Sequence, residues 1–120
     1  MDVVNIDKVP KKPLITPLFT GEEVTLQPLQ ADEERGYTMS VVNFGRGVRN
    51  KFHAHDTDQI LIVTAGRGTV ATESEKREVT VGDVIVFPAG EKHWHGATEE
   101  SDFSHIFIRP KSGRTTQLED

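Results

Sequence analysis

Apolar residues in this chain come in short runs and never settle into the 3.6-residue rhythm of an amphipathic helix. The runs are rich in Val, Ile and Phe and are broken by Gly, Pro and charged clusters, the pattern of many short strands. It predicts strands at 14–15, 24–29, 37–44, 49–55, 59–64, 69–72, 77–81, 84–87, 93–98 and 103–109. Residues 31–36 read as a polar loop, and Ala65-Gly66-Arg67-Gly68 as a hairpin turn. Residues 1–13, with Pro10 and Pro13 among lysines, read as an extended arm, and the polar residues 111–120 as a frayed tail. Between them, 14–110 form one all-β domain, a closed sandwich or barrel. The wholly apolar runs 60–63 and 84–87 predict burial on both faces, so a second layer or a partner should cover the outside.

Composition narrows the classes. A chain of 120 residues supports one domain. A net charge of −5 without clustered Lys and Arg argues against a nucleic-acid partner. Cysteine is absent, which removes disulfides, thiolate nucleophiles and iron–sulfur ligation and suits a reducing compartment. The first twelve residues have no apolar core of a signal peptide, and no apolar run is long enough to cross a bilayer. The expectation is a soluble cytoplasmic protein without membrane contact.

The five histidines cluster: His53 and His55, then His93 and His95, then His105. The first pair lies in Gly47-x5-His53-x-His55-x3-Gln59-x6-Gly66, and His93 closes Gly82-x5-Pro88-x-Gly90-x2-His93. Alternation on a strand puts His53 and His55 on one face with Ala54 on the other. Gln59 follows a three-residue turn and can reach back to the same point, while His93 must be brought in from a distant strand. An isolated strand histidine is usually structural, but the joint spacing points to one divalent metal held by His53, His55, Gln59 and His93. Imidazole suits Mn, Fe, Zn, Ni, Co or Cu, and the Gln carbonyl is a harder, neutral ligand. Four neutral ligands leave the ion's charge uncompensated, so its open positions should favour oxygen or anionic guests.

These two segments resemble the cupin superfamily, whose two motifs carry this arrangement of Gly, His and Pro. The fold the resemblance implies is a double-stranded β-helix, or jelly-roll barrel. More narrowly, His-x-His-x3-Gln-x-Leu-Ile-Val-Thr-Ala-Gly and Pro-Ala-Gly-Glu-Lys-His-Trp-His-Gly-Ala are similar to small bacterial cupins that include manganese-dependent hydroxynitrile lyases. That likeness implies manganese on His53, His55, Gln59 and His93, with active-site histidines at His95 and His105. Three departures stand out: Gln59 replaces the usual superfamily Glu, Ala97 the usual late Asn, and Asp56-Thr57-Asp58 the narrower group's Pro-Leu-Gly turn.

Strand parity turns His95 inward with His93, and His105 inward with Phe103, Phe107 and Arg109. Either His95 or His105 could take a proton near neutrality. Ser40, Val42 and Phe44 should line the preceding strand, and parity from His53 places Lys51 inward as well. Lys51 and Arg109 would together favour an anionic substrate, while Asp56 and Asp58 should point outward from their turn. Three functions fit: a metal-dependent lyase on a small oxygenated molecule, an oxygenase, or a non-catalytic sensing module. A homodimer is expected from the apolar outer faces and the arm.

Overall fold

A computed structural model describes residues 1–120 except Ala31 and Glu33. Those two lie in the predicted loop 31–36, which is to that extent outside the described residues. The strands are β1 (Lys12–Pro13), β2 (Val24–Gln30), β3 (Tyr37–Phe44), β4 (His53–His55), β5 (Gln59–Thr72), β6 (Lys76–Thr80), β7 (Val84–Phe87), β8 (His93–Ala97), β9 (Phe103–Pro110) and β10 (Thr115–Gln117). One three-residue 3-10 turn, Ile6–Lys8, precedes them. Among the described residues no helix is long and apolar enough to cross a membrane.

All pairings are antiparallel. One face runs β1-β2-β3-β9-β5-β7, and the facing layer runs β6-β5-β8-β4-β10. The long strand β5 belongs to both, so the sheet curls on itself as the sequence predicted. Its first half pairs with β7 and β9, and its second half with β6 and β8. The predicted hairpin at 65–68 is therefore a correction: the chain does not reverse there. It passes from one layer to the other at a register shift between Val63 and Ala65. Gly66 makes this possible with φ +69°, and a Cβ there would sit 1.8 Å from the Asp102 carbonyl oxygen.

Val24, Val42, Phe44, Leu61, Val63, Val70, Phe87 and Phe103 fill the interior between the layers. Beyond Phe44 and Phe103 the interior turns from apolar to imidazole. Two peripheral expectations need revision. Val84 and Val86 are 61% and 56% exposed, so β7 is apolar on both faces yet covered on one. The C-terminal tail is not frayed: β10 pairs with β4, and the Leu118 N–H continues onto the Phe52 carbonyl at 2.8 Å. The N-terminal arm is tied down too, because the buried Gln27 amide donates to the Ile6 and Val9 carbonyls at 3.0 and 2.8 Å.

Candidate metal centre

All five histidines are buried, none more than 6% exposed. Strand alternation in β4 turns His53 and His55 to the interior, and the register sets His93 at the head of β8 directly opposite His53. Ring centroids lie 4.4 Å apart for His53 and His93, 5.0 Å for His53 and His55, and 5.4 Å for His55 and His93. One ring nitrogen from each of the three lies within 4.8 Å of the others. The turn between β4 and β5 is clasped from outside: Asp58 accepts from the Ala89 N–H at 2.9 Å and Asp56 from the Arg114 N–H at 2.6 Å. Both aspartates thus face away from the cluster and bring Gln59, the first residue of β5, back beside His55.

Main-chain hydrogen bonds on the far side of two of the rings fix the nitrogen that carries the lone pair. His53 Nδ1–H donates to the Lys51 carbonyl at 2.7 Å, and His93 Nδ1–H to the Glu91 carbonyl at 2.8 Å. A carbonyl only accepts, so the proton is on Nδ1 and the lone pair on Nε2. His55 Nδ1 pairs with Thr115 Oγ1 at 2.9 Å. Phe87 stacks flat on His93, with centroids 3.8 Å apart and planes 14° apart, and fixes that ring. Nε2 of His55, Nε2 of His93 and Oε1 of Gln59 are buried without a hydrogen bond of normal geometry.

Leaving a buried acceptor unpaired costs about 1–3 kcal/mol. Three ring nitrogens within 4.8 Å of one another suit a cation, and imidazoles with a neighbouring carbonyl oxygen suit a divalent transition metal. Burial is the main cause holding the ligands neutral, the form that binds metal: His55 is lowered to about 4, His93 to about 3, and His53 below its usual 6.5. The chemistry of the donor set fits the metal.

Beyond the cluster the interior opens into a cavity of about 260 Å³. His53, His55, Gln59, His95, His105, Val42, Phe44 and Arg109 all lie on its wall. Ser40, buried further along the same face of β3, is not part of that wall. Lys51 corrects the parity argument. Strand β4 begins only at His53, so alternation does not reach position 51. Lys51 contributes its main chain instead, accepting from His53 and donating to the Leu18 carbonyl at 2.7 Å.

His95 and His105 differ in kind. The Asn50 Oδ1 accepts from the His95 main-chain N–H at 2.8 Å, which fixes the amide's orientation. Its NH2 group then lies 3.1 Å from His95 Nε2 and must donate to it. The His95 proton is therefore on Nδ1, which is buried without a partner. Neither ring nitrogen of His105 makes a hydrogen bond of normal geometry. Burial pushes His95 well below its usual value and His105 to about 4, so both are neutral at neutral pH. Their rings are 4.8 Å apart. Sequence reasoning missed Asn50 and Thr115; neither carries a local signal, because their partners are 45 and 60 residues away.

Comparison with known proteins agrees with this geometry. The Cupin_2 family (cupin domain) matches residues 40–109. An (R)-mandelonitrile lyase from Granulicella tundricola is 40% identical over 95 residues, covering 78% of this chain and 72% of that protein. An HTH-type transcriptional activator, RhaR from Mannheimia succiniciproducens, is 32% identical over 59 residues, covering 49% of this chain and 21% of that protein. The crystal structure of a cupin-like protein from Thermotoga maritima superposes with a TM-score of 0.85 at 30% identity, covering 100% of this chain and 90% of that one. The curled antiparallel sheet, the buried histidine cluster and these likenesses lead to one conclusion: the chain belongs to the cupin family.

Proposed function

We propose that this cupin is a metal-dependent lyase acting on a small oxygenated molecule, in the manner of a hydroxynitrile lyase. The observation that carries the reading is the set of buried, unpartnered polar atoms of His55, Gln59 and His93 beside His53, near a cavity that also holds His95 and His105. Manganese is the metal we assign, since the Gln59 carbonyl is a hard oxygen donor and the two histidine motifs resemble those of manganese-dependent cupins. When bound, the metal acts as a Lewis acid toward the substrate oxygen.

The remaining steps fall to this chain's side chains. His105, neutral and with free nitrogens, accepts the substrate hydroxyl proton. The oxygen lone pair so released forms the carbonyl, and the carbon–carbon bond breaks with its electron pair leaving on cyanide. His95 offers its Nδ1–H to the departing group, in the orientation that Asn50 imposes. Val42, Phe44 and Phe107 exclude water from this step.

The test is metal analysis of protein purified without chelator or nickel affinity, followed by a panel of aromatic and aliphatic cyanohydrins with manganese. Aldehyde and cyanide should appear together, with no oxygen consumed. No cleavage across the panel sinks the reading. Oxygen uptake that depends on substrate favours an oxygenase instead. Ligand binding without turnover favours a sensing module, to which the RhaR likeness also lends weight. The reading includes a cytoplasmic setting, supported by the absence of cysteine, and a homodimer, supported by the exposed Val81, Val84 and Val86 beside the free edge of β7.

A further inference from the structure

Among the described residues sixteen wall the cavity, and none of these is Asp or Glu. The metal ligands are neutral, His95 and His105 are neutral, and Arg109 supplies the wall's one formal charge. Such a cavity, with a guanidinium beside the histidines that would hold a divalent ion, repels cations and leaves an anion the best-stabilised guest.

Arg109 is held for that task. It lies on β9 with His105 and Phe107, and its Nη1 donates to Thr115 Oγ1 at 3.0 Å. The same nitrogen is 3.4 Å from His55 Nδ1, which puts the guanidinium beside the ligand cluster. Among the described residues Arg109 forms no ion pair. Its nearest acidic influence is Asp56, whose carboxylate is already engaged with the Arg114 N–H. A half-buried guanidinium without a carboxylate partner among the described residues keeps donors free for one from outside.

We infer that the cavity takes a small carboxylate, which for the proposed lyase means a cyanohydrin that also carries a carboxylate, with Arg109 binding its anionic group and a second oxygen lying toward His53, His55, Gln59 and His93. This inference rests on the lyase reading for the reaction, and on the cavity wall alone for the charge. The volume fits: about 260 Å³ corresponds to roughly nine waters at about 30 Å³ each. Leu18, Phe19, Leu26 and Phe107 offer an apolar pocket for the rest of the molecule.

Mandelate and its neutral amide, mandelamide, share one skeleton and differ in this charge. Calorimetric titration of manganese-loaded protein should show mandelate binding about 10- to 100-fold more tightly than mandelamide. Arg109→Gln, which keeps a donor for Thr115, should lose most of that preference while mandelamide affinity and metal content stay as they were. Arg109→Lys keeps the charge without the fork and should retain part of the preference. The same pair of ligands titrated into chelator-treated protein should still separate wild type from Arg109→Gln, since the guanidinium acts without the metal. Equal binding of the two ligands to wild type overturns the inference, and so does an undiminished preference in Arg109→Gln. Failure of cyanohydrin cleavage alone overturns the lyase reading and leaves this one standing.

Discussion

His95 and His105 are chemically the same side chain with opposite assignments, and one amide separates them. Because Asn50 must donate to His95 Nε2, replacing it by Asp reverses the bond and moves the imidazole proton to Nε2. Ring ¹⁵N shifts of His95 should report that change directly, and turnover should fall at least about 100-fold. Asn50→Ala removes both bonds and should cost about 2–3 kcal/mol of stability, read from denaturant midpoints. His105→Ala should lower turnover about 10²- to 10⁴-fold with metal content intact. Turnover that survives it removes His105 as the base. The candidate ligands His53, His55 and Gln59 were legible in sequence because they sit within one strand and turn, where spacing fixes direction. Asn50 and Thr115 were not, since their roles exist only after distant strands meet.

At the level of elements, β10 is the piece that composition misjudged. Its residues are polar and its side chains exposed, yet its backbone completes the edge of β4, the strand that carries two candidate ligands. Thr115 orients His55 from there, and Glu119 pairs with Arg49 at 2.9 Å while accepting from the Phe52 N–H at 2.8 Å. Partners of this kind set ligand direction, and their loss typically weakens metal binding about 10- to 100-fold. Thr115→Val should show that loss in a competitive chelator titration, with the strand still docked. Truncation after Pro110 should show it together with a lower melting temperature. Strand β5 teaches the converse lesson. Ala65-Gly66-Arg67-Gly68 has the composition of a turn, but Gly66 serves a bend under the Asp102 carbonyl, where no side chain fits. Gly in a strand run marks either outcome, and only the pairing of both halves of β5 decides.

For the molecule as a whole, five buried imidazoles link stability to pH. Each is lowered in the folded state, whereas the unfolded chain titrates near 6.5. Between 6.5 and the lowered values of about 3 to 4, the unfolded state binds more protons. Stability of the metal-free protein should therefore be complete above about pH 6.5 and decline as pH falls toward 4, as thermal melts across that range will show. Metal that binds the folded state should raise the melting temperature in a concentration-dependent way, about 2.7 kcal/mol at 100 times its dissociation constant. The proposed homodimer should sediment at twice the chain mass, and charge placed at Val84 and Val86 should dissociate it. The overall curl of the sheet was readable from strand count and turn residues, but which strands face solvent was not, because an apolar run looks alike whether one face or two are covered. One aromatic ring also turns the architecture into a gauge. The chain's single Trp94 lies on β8 between His93 and His95, with the Arg49 guanidinium 4.6 Å from its ring centre and Glu119, two residues beyond β10, clasping that guanidinium. Its intrinsic emission will shift whenever that clasp opens, giving a built-in optical signal for the state of the whole chain.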